Sequence, residues 1–339
     1  WGRFACLLLA IYFLFAGTLA FPVGAETSAP TPSEVADGII LWKKADVGSD
    51  PDGYLINDTF LEQAGTTPGD WYPIGLGRLS VADGQSGYLA VIGDNVQKRY
   101  RTPEKLSRAK ATEWHRISLA VLACGGNPRR MGEAGDIDLI ADGTYDRVDE
   151  NGNGILGKQG INGFIWGLIT LDSLYYEVPE GAYYTRDDII LNILNRQLPD
   201  GGWALSGDAC DPDITAMAIQ ALAPYYNSEK EYVYTGSDGQ VARKARTAVD
   251  DALKCLSGLQ LSDGGFYSWG MPNCESAVQV AVALCSLGID PFTDSRFIKD
   301  GHTVYDGILK YRNRDGGFLH SFVYDAENPT SLPDRSNTM

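Results

Sequence analysis

A seven-residue turn recurs three times along this chain, as QLPDGGW at 197–203, QLSDGGF at 260–266 and RNRDGGF at 312–318. Repetition constrains a fold more than any single motif does, because each repeated unit leaves a face that only its neighbours can cover. Every copy follows a stretch with helical patterning, at 186–195, 242–259 and 304–311. After the first two copies comes a second helix, DITAMAIQALAPYY from Asp213 and ESAVQVAVALCSLGIDP from Glu275. Stretches from Asp70, Thr112 and Ile161 match that second helix without a preceding GG-aromatic turn. The unit is therefore helix, turn, helix, repeated about every 50 residues. Paired glycines permit positive φ or close backbone approach, and the aromatic can wedge between layers. The second helices are apolar or small nearly all round, which predicts burial on every side, whereas the first helices are amphipathic. Buried inner helices within amphipathic outer ones predict an all-α fold, an α/α toroid.

The pattern Q-x3-G-x-W at Gln197–Trp203, followed by D-x-D-x-T-A from Asp211, resembles the squalene/hopene cyclase and prenyltransferase repeat superfamily. The resemblance runs from about residue 35 to residue 339 and looks closest to secreted bacterial proteins with such repeats. It implies an α6/α6 barrel with a pocket at one mouth. Corrinoid carriers of the transcobalamin type use a similar barrel, so an isoprenoid or a corrinoid-type small molecule is an expected ligand class, beside a protein partner. Five inner helices are expected, near Asp70, Thr112, Ile161, Asp213 and Glu275. A sixth would begin around residues 335–339, so the toroid is expected to be incomplete at its C-terminal side.

The resemblance places Asp213 at the position of the acid with which class II terpene cyclases protonate an alkene. Ile214 stands where the motif's last Asp belongs, and the helices from Asp213 and Glu275 offer few aromatic faces to steer a carbocation. Trp71, Trp114 and Trp166 on earlier inner helices are the expected aromatic wall. The prenyltransferase zinc position corresponds to Asp213, Thr215 and Glu275, a set that does not suit zinc's preference for nitrogen and sulfur. No metal or cofactor is expected. A complement-type thioester needs Gln three residues after Cys, and Ala277 occupies that place after Cys274. Helix capping accounts for much of the same stretch: Asp211 is a good N-cap, Pro212 fits the first helical position, and Asp213 favours the positive end of the dipole. Asn273 and Glu275 repeat the device. In a toroid these ends gather at one mouth, where Asp211, Asp213, Glu275 and Glu113 are expected to bind a cation or a polar ligand head.

The N-terminal stretch adds an address. Arg3 precedes an apolar run from Phe4 to Phe21, and Val23-Gly24-Ala25 offers a small-x-Ala cleavage site. We expect a signal peptide over 1–25, a polar Pro-rich spacer over 26–34 and the toroid over 35–339, in a protein that is secreted or held at the cell surface and is not membrane-integral once cleaved. A formal net charge of −16 argues against nucleic acid as a partner. Of six cysteines, Cys210 and Cys274 precede two inner helices, where a disulfide between them is conceivable; Cys124 and Cys285 read as small core residues. Asp149, Asn151, Asn153 and Gly154 match the start of a calcium-binding loop, but Gly160 stands where its bidentate Glu belongs. The leading expectation is a non-catalytic toroid that binds a ligand or protein at its mouth. The alternatives are an isoprenoid cyclase or prenyltransferase-like enzyme with Asp213 as a degenerate general acid, and a structural module that binds another protein.

Overall fold

Helices form where the sequence pattern predicts them, although Thr67–Arg78 is buried on one part of its surface rather than on every side. A computed structural model describes residues 29–236, 239–327 and 331–337. The expected signal peptide lies outside the described residues, as do residues 26–28 of the spacer. The five inner segments are the helices α3 (Thr67–Arg78), α5 (Thr112–Ala123), α6 (Ile161–Asp172), α8 (Pro212–Leu222) and α10 (Cys274–Ser286). The outer segments are α7 (Arg186–Leu194), α9 (Ala245–Leu259) and α11 (Val304–Leu309). Three further helices were not anticipated: α1 (Pro32–Asp46), α2 (Asp58–Leu61) and α4 (Gln85–Tyr100).

The fold is largely helical rather than wholly so. Two antiparallel hairpins interrupt it, β1 (Glu231–Gly236) with β2 (Gly239–Lys244), and β3 (Phe266–Ser268) with β4 (Met271–Asn273). The first takes residues 242–244 from the expected outer helix, which consequently begins at Ala245. The second grows directly out of the GG-aromatic turn and delivers the chain to α10.

The helices contact one another in chain order, α3 on α5, α5 on α6, α6 on α8 and α8 on α10. α7 packs on α6, α9 on α8 and α11 on α10. α9 is amphipathic: it buries Ala245, Ala248, Val249, Ala252, Leu253 and Leu256 along one stripe and leaves most of the rest to solvent. α6 has no polar stripe, so it buries residues from Ile161 to Leu171 around its circumference. The apolar interior falls into two clusters, one around Trp203, Phe266, Ile165 and Leu168, the other around Phe60, Tyr88, Ile92 and Ile117.

The three turns hold this order together in one common way. Gly201, Gly264 and Gly316 have φ of 92°, 82° and 91°, the left-handed region that glycine enters freely. A Cβ at Gly201 would lie 2.8 Å from the carbonyl oxygen of Asp251 in α9. At Gly264 it would lie 2.0 Å from that of Thr303, the N-cap of α11, and at Gly316 3.0 Å from that of Gly38 in α1. Each turn thus lies against the backbone of a neighbouring helix or its N-cap. Gln197 Nε2 fastens the first by donating to Ala248 O at 2.7 Å and Gly201 O at 2.6 Å. Gln260 Nε2 fastens the second through Phe297 O and Gly264 O. The third uses Arg312 in that position, and Trp42 Nε1 of α1 donates to Asp315 Oδ2 at 3.1 Å. No helix begins in residues 331–337, where the sixth inner helix was expected to start.

The starts of successive inner helices lie at one end. Arg116 Nη1 reaches Thr67 Oγ1 at the start of α3, and Thr112 Oγ1 donates to Gln159 Oε1 just before α6. The N-cap of α6, Gly160, sits against Leu205 in the loop before α8, and the N-cap of α8, Asp211, accepts from Ser268 of β3. Among the described residues no helix is long and apolar enough to cross a membrane.

Candidate functional site at the starts of helices α8 and α10

Asp211 caps α8 as its sequence suggests, its Oδ1 accepting from Ile214 N at 2.9 Å. Its second oxygen takes the Ser268 hydroxyl from the facing hairpin. Asn273 caps α10 likewise, accepting from the backbone N and the Oγ of Ser276, each at 2.9 Å. Between the loop before α8 and the β3–β4 hairpin lies an open cleft of about 280 Å³. Leu205, Cys210, Asp211, Tyr267, Ser268 and Trp269 are among the residues lining it.

Asp213 stands beside Asp211 in the first turn of α8. Burial pushes its carboxyl up to about 6, with Asp211 and Glu275 adding repulsion, while Ser276 and Ser268 oppose the rise. Its Oδ1 is buried without a hydrogen-bond partner. Glu275, in the first turn of α10, accepts from His320 Nδ1 at 2.8 Å, and His320 Nε2 lies 3.9 Å from Asp325 Oδ2. That hydrogen bond raises the imidazole's pKa, with Asp325 and Asp213 contributing in the same direction. The backbone fixes the arrangement, since Cys274 N donates to His320 O at 2.9 Å. Four carboxylates and one imidazole therefore meet where α8 and α10 begin, with the positive ends of two helix dipoles beneath them.

Around this polar centre the surface is aromatic. Trp269, at the tip of the hairpin, is 65% exposed and has a φ of 50°, an uncommon conformation for a bulky side chain. Tyr267, Phe322 and Tyr324 are also exposed, Phe322 stacking on Tyr311 at a centroid distance of 5.0 Å. His320, Asp325 and this rim were not foreseen. Their only sequence signal is position, just after the second GG-aromatic turn for Tyr267 and Trp269 and just after the third for the others.

The other predicted residues fall elsewhere. Glu113 is engaged by Arg116, whose Nη1 and Nη2 donate to its two oxygens at 2.8 and 2.9 Å. Trp71 and Trp166 meet edge to face with centroids 5.6 Å apart, linking α3 to α6. Trp114 does not join them: it is buried, donates through Nε1 to Tyr100 OH at 2.7 Å, and carries the Arg147 guanidinium 3.9 Å above its ring. It is part of the core. His115, fully buried, bonds through Nε2 to Gly143 O at 2.9 Å, and burial holds its pKa down to about 3.

Asp149 Oδ1 accepts from the backbone of Asn151 and Asn153, and Val148 pairs with Gly154, which makes the glycine-rich loop a tight turn. None of the five cysteines described is in a disulfide. Cys274 is buried at the start of α10, and the thiol beside Cys210 is that of Cys255 rather than Cys274. Compared with protein-family models and with curated proteins, the chain matches none.

Proposed function

We propose that this chain is an α/α toroid of the squalene/hopene cyclase and prenyltransferase repeat type, secreted or surface-held, that binds a ligand where α8 and α10 begin. The ligand class is a molecule with a cationic or hydrogen-bond-donating head and an apolar body, the head meeting Asp213 and Glu275 and the body meeting Trp269 and Tyr267. One observation carries this reading: the partly dehydrated Asp213 carboxyl has an oxygen that no donor satisfies. Leaving a buried acceptor unpaired costs about 1–3 kcal/mol, which a donor on a bound molecule would recover. The chain-order contacts of the helices and the three docked turns support the toroid.

Acid catalysis fits the same carboxyl less well. Protonating an alkene requires an unusually strong acid, and burial beside Asp211 and Glu275 makes Asp213 a weaker one. Native mass spectrometry of the full chain, incubated with a mixed isoprenoid and corrinoid extract, tests the proposal. Retention of an unaltered molecule, lost in Asp213→Asn, supports binding. Release of a rearranged isoprenoid that Asp213→Asn no longer forms would replace binding with catalysis. No retained molecule leaves the rim without a small ligand and favours a protein partner.

A further inference from the structure

Three ligating side chains converge beside the loop that precedes α8. Asp200 belongs to the first GG-aromatic turn, Cys210 to the loop before α8, and Cys255 to α9. One ligand atom of each, a carboxylate oxygen and two sulfurs, all lie within 4.8 Å of one another. Both cysteines are half-buried and Asp200 is exposed, so the cluster opens to solvent on its carboxylate side.

The other two turns show what is different here. In each turn the aspartate's Oδ1 accepts from the turn's own glycine N–H at 3.0 Å, from Gly202, Gly265 or Gly317. At Asp263 the second oxygen receives a cation from α11's end, Lys310 Nζ at 2.6 Å. At Asp315 it receives the indole N–H of Trp42 from α1. Trp42 lies one helical turn beyond the docking residue Gly38, and Cys255 lies one helical turn beyond the docking residue Asp251. Where the facing helix elsewhere brings a donor to the aspartate, α9 brings a thiol here, and Cys210, whose N–H takes the second oxygen of Asp200, brings another. One carboxylate and two thiols thus face one another, and a cation among them would favour both thiols as thiolates.

We propose that Asp200, Cys210 and Cys255 form a zinc-binding site with a fourth position open to water. Two thiolates select a soft or borderline ion over calcium or magnesium. Tetrahedral zinc places sulfur at about 2.3 Å and carboxylate oxygen at about 2.1 Å, hence ligand atoms roughly 3.5–3.8 Å apart, within the reach of side-chain adjustment here. Binding converts two S–H groups to thiolates and releases two protons, with no change of oxidation state. The groundwork is built into the turn. Asp200 is oriented by the N–H groups of Gly202 and Cys210, the latter at 2.7 Å. Gly202 leaves room for the sulfur, since a Cβ there would lie 2.2 Å from Cys210 Sγ.

Titrating the reduced, metal-free full chain with Co²⁺ tests the site. The expected result is one equivalent bound, with thiolate-to-cobalt absorption and tetrahedral ligand-field bands that Zn²⁺ displaces. Cys255→Ser should weaken binding roughly 100-fold or more and Asp200→Asn roughly 10-fold, while Cys124→Ser leaves it unchanged. Should Cys255→Ser fail to fold, protection of Cys210 and Cys255 from alkylation by zinc in the unaltered chain gives the same answer. Absence of the thiolate band from the reduced chain overturns the proposal. So does a Cys210–Cys255 disulfide, two hydrogens lighter, that forms under air equally fast with and without equimolar zinc.

Discussion

Arg116 Nε lies 2.8 Å from Asp70 Oδ2, an ion pair that joins α5 to α3 with the carboxylate wholly out of solvent. Tyr88 OH and Gly65 N complete the shell on Oδ1, at 2.7 and 2.8 Å. Removing one member of such a pair strands the other, which is more damaging than the pair is stabilising. Arg116→Met is expected to cost about 3–5 kcal/mol at pH 7 by urea denaturation. The loss should shrink as pH falls and Asp70 takes up a proton. An equal loss at pH 4.5 and pH 7 would show that packing, not charge, is the cause.

The raised pKa of Asp213 makes a second, opposite expectation. The folded chain holds that proton to about pH 6 whereas an ordinary Asp releases it near 3.8. Between those values the unfolded state binds fewer protons, so stability falls as pH rises through the interval and stays reduced above it. Asp213→Asn should therefore stabilise the fold above pH 6, by up to about 3 kcal/mol, and have little effect below pH 4. Melting both proteins across pH 4–8 gives the comparison; parallel curves would contradict the assignment.

His115 works in the reverse sense. Its folded pKa, about 3, lies below the usual 6.5, so the unfolded chain gains the extra proton on acidification. Stability present above pH 6.5 should drain away toward pH 3, by several kcal/mol at order of magnitude. His115→Gln is expected to flatten that acid limb while lowering stability at pH 7 through lost packing. An acid limb of unchanged slope would assign the loss to other groups.

Two glycines make a matched test of turn docking. Gly264→Ala puts a methyl 2.0 Å from Thr303 O at a φ of 82° and should cost at least about 3 kcal/mol. Gly258→Ala, within α9 and with nothing within 4 Å of the new carbon, should stabilise by about 0.5–1 kcal/mol. Similar melting temperatures for the two variants would mean that the second turn can lift from α11 at little cost.

Helices with a strong one-dimensional signature were the legible part of this fold. α6 is apolar throughout, α8 and α10 carry caps, and α9 has a clear amphipathic stripe, so their places could be read from residue type alone. α1 and α4 escaped notice because mixed charged and apolar surfaces blur their periodicity, although Thr31 and Glu34 form a capping box at the head of α1. Asp213 and Glu275 were legible as helix-start carboxylates. His320 was not, because it reaches Glu275 from 45 residues away through a loop with no periodic pattern. The Asp200, Cys210 and Cys255 cluster was equally hidden. Its cysteines lie on different elements, and only the docking of the first turn onto α9 brings their sulfurs near each other.

The bond from Trp42 to Asp315 spans 273 residues of sequence, while most helix pairs here meet within a few tens. A chain emerging from its N-terminus can stack α3 to α11 step by step, each addition rewarded by the one before it. α1 meets α3 early, with Lys43 Nζ 5.3 Å from the Tyr72 ring centroid, but its bond to Asp315 must wait for 273 further residues. The entropic penalty for so wide a loop grows only logarithmically with length, so the delay is kinetic more than thermodynamic. The contact of α1 with the third turn is therefore the latest of these to form, and the Trp42 indole has no Asp315 to meet until residue 315 has been made.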